Sequence, residues 1–312
     1  MIEIVEPGLL TSVQDPVGRA GWRHLGVPVG GAADAWSARL ANRLAGNPDG
    51  AALLEMTIHG PTLRFTEPAA VALTGQLEAS VDGMPLPSES GRRVRAGALV
   101  RVGAGTGARG WLAVGGGIGV ASVLGSPSTD LRGAFGGHDG RALRAGDRLP
   151  VGEGPLGGMA RWIGRRPAAG GSIRIVAGPD PGNLLVALEE RVHRVSHAAD
   201  RAGVRLTDPL PGGAEVPSMA LPIGAIQVPA DGRPIVMLAD RPVTGGYRVP
   251  AVVIGADVGR VAQLRPGDEV RFVSVSIDDA REAWSRAEEE LAALEPLEER
   301  EGDELGWTGS HR

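Results

Sequence analysis

The stretch TSVQDPVGRAGWRHLGVPVGGAADAWSARLANRLAGNPDGAALLEMTIHGP, Thr11–Pro61, decides how this chain is read. It sets Gln14, Asp15, Arg19, Asp34, Asn42, Asn47 and Glu55 among many glycines, in a region otherwise built to be buried. Burying a polar group is costly unless it is paired, so the stretch is either a surface loop system or the wall of a site. Within it, Asp34 can cap a helix running to Ala45, with Trp36, Leu40 and Leu44 on one face and Gly46 as the stop. Asn47-Pro48 reads as a second cap, with proline at the first helical position.

Outside this stretch, 49 glycines and 24 prolines in 312 residues point to many turns, short strands and few long helices. One pattern recurs: VRAGALVRVG from Val94, LRAGDRLPVG from Leu143 and LRPGDEVRFV from Leu264. Each is a turn feeding an alternating strand. Further strands are expected at Leu63–Phe65, Ala69–Thr74, Ala79–Val81, Gly110–Val114, Arg191–Ser196, Ala225–Val228, Ile235–Ala239 and Val249–Ile254. A helix is expected from Asp180 through Asn183–Glu189, and a charged one from Asp279 to about Glu295. The segment 155–171 has linker composition. The reading is two β-rich domains, 1–154 and 172–276, followed by a helical and disordered tail, 277–312.

Composition narrows the chemistry. Net charge is −5 with no basic stripe, which argues against nucleic acid as a partner. No apolar run reaches the roughly 20 residues of a membrane helix, and MIEIVEPGLL lacks the basic start of a signal peptide. A cytoplasmic location is expected. There is no cysteine and no lysine, so thiolate, Schiff-base and Walker-lysine chemistry are excluded. Any phosphate or carboxylate must be held by arginine and backbone N–H groups.

Several motifs read as structural. GGGIG at Gly115–Gly119 follows a strand but lacks the final glycine and the long helix of a dinucleotide site, so it reads as a tight turn. His193 and His197 lie on an alternating segment, roughly 13 Å apart at ~3.3 Å per residue, too far for one metal ion. Ser126, Ser128 and Thr129 read as turn and cap residues. The second half has its own dense region: DRAGVRL (Asp200–Leu206), GAIQVPADGRPIVML from Gly224 and ADRPVTGGY from Ala239. Thr244 and Tyr247 offer hydroxyls where glycines admit a ligand to the backbone.

Taken in order, TSVQD…GRAG, HLGVPVGGAAD, LANRLAGN, LEMTIHGP, ALTG, GWLAVGGGIGV, LGSPSTD, GGHDGRALRAGD, DRAGVRL, GAIQVPADGRPIVMLAD, TGGY and AQLRPGD resemble one family. It holds the C subunit of 5-oxoprolinase, allophanate hydrolase subunit 2, KipA-type proteins and the carboxyltransferase domain of urea carboxylase. The resemblance covers nearly the whole chain to about Phe272. It departs in an extra residue between Asp15 and Gly18, and in Ala202, where methionine is common.

The resemblance implies a mainly β fold of two tandem cyclophilin-like β-barrels with a few short helices and a C-terminal helix. It implies two partners, a KipI-type subunit 1 (the B subunit of 5-oxoprolinase) and the A subunit of 5-oxoprolinase. The reaction implied is ATP-dependent opening of 5-oxo-L-proline to L-glutamate, with ATP and Mg²⁺ in the complex; activating the unreactive lactam would need positive groups around the charges. At positions matching the motifs, Asp15, Arg19, Asp34, Glu55 and Arg201 are the catalytic candidates. Among them the carboxylates suit proton transfer or Mg²⁺ contact. Gln14, Asn42, Asn47, Asp200, Arg205, Gln227, Arg241, Thr244 and Tyr247 are the substrate-binding candidates, and no metal site is assigned. Two alternatives remain open. One is a biotin-dependent carboxyltransferase component, with biotin carried elsewhere; the other is a KipA-type regulator of a subunit-1 partner. A single composite site requires Asp15, Arg19, Asp34 and Glu55 to lie near Arg201, Arg205 and Tyr247.

Overall fold

Ile2 and Ile4, two apart in strand β1 (Ile2–Glu6), are both buried, and this period-two burial organises the first half of the chain. A computed structural model describes residues 1–152, 159–164 and 171–296. After β1 come β2 (Leu10–Gln14), β3 (Leu53–Thr57), β4 (Thr62–Phe65), β5 (Ala69–Val81), β6 (Met84–Leu86), β7 (Ser90–Val94), β8 (Leu99–Val114) and β9 (Arg148–Leu149). They form one curled sheet in the order β2-β3-β8-β4-β1-β9, with β5 on β8 and both β6 and β7 on β5. The long pair β5 and β8 changes register around Leu77, a bulge that bends the sheet. Its concave face holds Ile2, Ile4, Leu54, Met56, Phe65 and Leu112.

The linker strand β10 (Ala160–Trp162) precedes the strands of the second half: β11 (Ile173–Ala177), β12 (His193–Arg194), β13 (Gly203–Arg205), β14 (Glu215–Ala220), β15 (Ala225–Val228), β16 (Ile235–Met237), β17 (Thr244–Val253), β18 (Glu269–Val270) and β19 (Phe272–Ser274). The main order is β13-β16-β15-β17-β11-β19, with β14 on β17, while β12 pairs with β18. Ile175, Leu188, Val204, Ile226, Val236 and Phe272 fill its core. The protein is mainly β, in two curled sheets, as the resemblance implies.

Four helices complete the described chain: α1 (Ala35–Leu44), α2 (Gly182–Glu189), α3 (Gly255–Ala262) and α4 (Ile277–Ala292). Asp34 caps α1 by accepting the Ser37 N–H at 3.1 Å, the role its position predicts. Helix α4 opens with a capping box between Ser276 and Asp279. It is no detached tail. Trp36 Nε1 donates to the Ala287 carbonyl at 2.7 Å, Arg39 pairs with Glu288 at 2.7 Å, and β20 (Leu294–Pro296) pairs with β10. The rest of the expected tail, 297–312, lies outside the described residues, as does much of the linker. None of the described helices is long and apolar enough to cross a membrane.

Two local expectations are corrected, and one helix has no expectation at all. Asn47-Pro48 starts no helix; 47–51 is a turn region, because the Asn47 side chain is drawn to the backbone of Val114 and Gly116 instead. The strand expected over Arg191–Ser196 shrinks to His193–Arg194, paired with the two-residue β18, and continues only as a single bridge from Val195 to Leu206. Helix α3 is masked in the sequence by its glycines, although Val258, Val261 and Ala262 are spaced to bury one face.

Candidate functional site

Glu55 sits in the middle of β3, opposite Trp111 of β8, at 2 % exposure. One carboxylate oxygen accepts the Ala33 N–H at 2.8 Å and Trp111 Nε1 at 3.0 Å. The other receives Arg201 from the second half, with Arg109 3.9 Å away. Arg201 is equally buried and forks onto Asp240, with Nε at 2.8 Å and Nη2 at 3.0 Å, and also reaches the Gly31 carbonyl at 2.6 Å. Arg109 donates to the carbonyls of Ala262 and Asp200. Two carboxylates thus face two guanidinium groups across the seam between the sheets.

Such burial strips each ion of water at a cost of several kcal/mol, which only dense pairing offsets. Burial alone would push the Glu55 carboxyl up. Arg201, Arg109 and the Ala33 N–H outweigh it and hold the group below the usual carboxylate range. Burial likewise opposes the charge on Arg201, but Glu55 and Asp240 prevail and raise its pKa. For Arg109, burial wins and the pKa falls, with Glu55 opposing and Arg201 adding repulsion.

A second knot lies inside the first half. Asp15, just after β2, accepts Ser126 Oγ at 2.5 Å, the Ser128 hydroxyl and the Gly18 N–H at 3.1 Å. Arg19 is fully buried. It donates to the carbonyls of Val123 and Ser128 and lies 4.6 Å from the centre of the Phe135 ring. Burial lowers its pKa, opposed by Asp130, Asp15 and Asp240. Gly136 admits this guanidinium: at φ +70° it has no Cβ to overlap Arg19 and the Ser128 carbonyl.

The other sequence candidates separate. Asn42 Nδ2 holds the carbonyls of Asp49 and Ala51, and Asn47 joins Asn42 to the backbone of Val114 and Gly116. Gln14 Nε2 bonds Ser12 Oγ and the Thr129 carbonyl. Asp200 is exposed and caps its own turn through the N–H groups of Ala202 and Gly203. Arg205 points to solvent from β13, and Thr244 and Tyr247 lie in β17 along the β14–β17 ribbon. Gln227 is buried beside Gly245. The structure therefore joins Glu55 directly to Arg201, and places neither Arg205 nor Tyr247 in that cluster.

Beside the ion cluster, a cleft of about 390 Å³ opens along the seam. Val29, Gly30 and the first turn of α1 form one wall, Ile223 and Arg241 a second, and α3, Gln263 and Trp284 of α4 a third. Asp34 lines it while its carboxylate rests against Gly259, where a Cβ would overlap it. Arg109, Asp240, Gln263 and Trp284 are residues of this region that sequence reasoning misses. Arg109 carries a readable signal, a charge in a strand whose neighbours Ala108, Trp111 and Leu112 are all core residues. Asp240 carries none, because its partner is 39 residues away.

Two curled β-sheets, locked by a buried ion cluster and cleft along their seam, define the architectural class. Residues 25–274 match the carboxyltransferase domain, subdomains A and B, and the chain belongs to that family. It is 37 % identical over 297 residues to the 5-oxoprolinase C subunit of Escherichia coli (strain K12), covering 91 % of this chain and 94 % of that one. It is 33 % identical to the urea amidolyase of Lachancea kluyveri, over 95 % of this chain but only 18 % of that longer protein. The crystal structure of Kluyveromyces lactis urea carboxylase superposes with a TM-score of 0.87 at 30 % identity, over 98 % of this chain and 30 % of that one.

Proposed function

We propose that the chain is the C subunit of an ATP-dependent 5-oxoprolinase, and that the seam cleft seats the lactam. The observation that carries this reading is the 37 % identity to a 5-oxoprolinase C subunit along 94 % of that protein's length. The cleft agrees in scale and chemistry: about 390 Å³, largely apolar walls and three arginines, of which Arg39 and Arg260 are paired with carboxylates and Arg241, among the described residues, is not.

The carboxylates do not suit Mg²⁺. The oxygens of Asp15, Asp34 and Glu55 are taken up by hydroxyl, N–H and guanidinium donors within the chain. No cluster of three or more acidic or histidine ligands occurs among the described residues. In this reading ATP and its metal belong to a partner, either the KipI-type protein or the A subunit of the oxoprolinase. This chain binds and orients the lactam and shields it from water. The buried Glu55–Arg201 pair is a positioning element that fixes the cleft walls rather than a proton donor. The test is reconstitution of the chain with its two partner proteins: ATP-dependent release of L-glutamate is expected, and its absence from a correctly assembled complex sinks the reading.

A second reading is favoured by the family match and by the superposition on urea carboxylase. Here the cleft would hold the ring of a carboxybiotin delivered by another protein, since the chain has no lysine to carry biotin. Saturable binding of free biotin to the purified chain, competed by urea rather than by 5-oxoproline, would favour it.

A further inference from the structure

Arg241 and Arg23 approach each other from opposite halves of the molecule, and both bond the same carbonyl. Arg241 Nε donates to the Leu221 carbonyl at 3.0 Å and Nη1 to that of Leu238 at 3.2 Å. Arg23 Nη2 donates to Leu221 at 2.9 Å and to Val243 at 2.9 Å. Arg241 is only 9 % exposed, yet it lines the cleft. Among the described residues neither arginine forms an ion pair. Arg201, Arg174 and Arg39, by contrast, are neutralised by carboxylates. Burial, with repulsion from Arg23 added, lowers the pKa of Arg241 to about 10. A nearly buried cation beside a second cation, with carbonyl dipoles in place of a counter-charge, is an incomplete electrostatic arrangement.

We infer that Arg241, backed by Arg23, is the anchor for a carboxylate on the ligand of the seam cleft. The ligand class is a small monocarboxylic acid whose remaining body is compact and weakly polar. The anion would accept from the guanidinium of Arg241, while Val29, Gly30 and Ile223 cover the rest of the molecule. This inference rests on the cleft being the substrate seat, and it sharpens that reading. A lactam acid carries the required carboxylate and urea does not, so the arginine pair would be the element that selects the acid.

The experiment titrates the full-length chain with L-5-oxoproline, acetate and 2-pyrrolidinone, observing ligand resonances by NMR, in wild type, Arg241→Gln and Arg23→Gln. Both carboxylates should bind wild type, and Arg241→Gln should weaken them by about ten- to a hundredfold, the span of a charge-assisted hydrogen bond. Binding of 2-pyrrolidinone should not change between the two. Arg23→Gln should weaken the carboxylates by about threefold, through loss of the supporting charge. It also serves if thermal melting shows Arg241→Gln to be unfolded. Arg241-dependent binding of acetate without preference for 5-oxoproline would uphold the carboxylate anchor while removing the lactam reading. Equal carboxylate binding to wild type and both variants, or no carboxylate binding at all, overturns the inference.

Discussion

Arg201 and Arg241 are both nearly buried arginines of the second half, 40 residues apart by number and close to the same seam, yet their surroundings are opposite. Arg201 meets Glu55 and Asp240, and its charge is held firmly. Arg241 meets backbone carbonyls and another arginine, and its charge is disfavoured. The difference separates two uses of a buried cation. A neutralised one fixes the sheets to each other; an uncompensated one is finished only by something from outside. In the sequence both appear as DR pairs, DRAG and DRPV, and look equally suited to a substrate.

The largest expected effect breaks the neutralised side. Glu55→Gln leaves Arg201 and Arg109 facing a single carboxylate, Asp240, and should cost about 3–5 kcal/mol in denaturant unfolding. Replacing Glu55 and Arg201 together by apolar residues of similar volume should recover part of that loss. A cost for Glu55→Gln below about 1 kcal/mol would show that the cluster does not hold the seam. The acid limb of stability tests the same point without mutation. The folded pKa of Glu55 lies below its unfolded value of 4.5, so its contribution is full above that value and is lost as pH falls through the folded one. Wild type should therefore destabilise in acid more steeply than Glu55→Gln.

Arg19 stands between the two extremes, with carbonyl partners like Arg241 and acidic neighbours like Arg201. Gly136→Ala would force a methyl group into its guanidinium at a left-handed backbone position. The expected cost is about 1–3 kcal/mol. An unchanged melting temperature would mean that the Arg19 pocket gives way easily and that the Asp15–Arg19 knot is loose.

How far this contrast can be read without a structure follows from distance along the chain. Strand β15 falls at Ala225–Val228, as expected, and α1 runs from its Asp34 cap, because turns, caps and alternation are local signals. The polar residues of Thr11–Pro61 announce only that they need partners. Glu55 finds Arg201 146 residues later, and Asp15 finds Ser126 and Ser128 more than 110 residues later. A neutral knot and a waiting ligand site therefore look alike until the sheets are folded. Asn47 shows the converse: its local cap signal is sound, but the Val114 carbonyl and Gly116 N–H supply better partners from β8 and its following turn.

The smallest expected effect concerns the exposed counterpart of the Glu55–Arg201 pair. Arg132 and Asp200 also join the two halves, at 3.6 Å, but both side chains are more than half exposed. Water screens such a pair and ordering two mobile side chains offsets most of its attraction, so Arg132→Ala should change stability by less than about 1 kcal/mol. Any effect should shrink further as salt is raised. Asp200→Asn should be almost as mild, because an asparagine oxygen can still accept the Ala202 and Gly203 N–H groups that the aspartate holds. If instead Asp200→Asn abolished turnover in the reconstituted complex while stability stayed constant, the carboxylate would have a partner beyond this chain. The working surface would then extend from the cleft to the exposed DRAG turn.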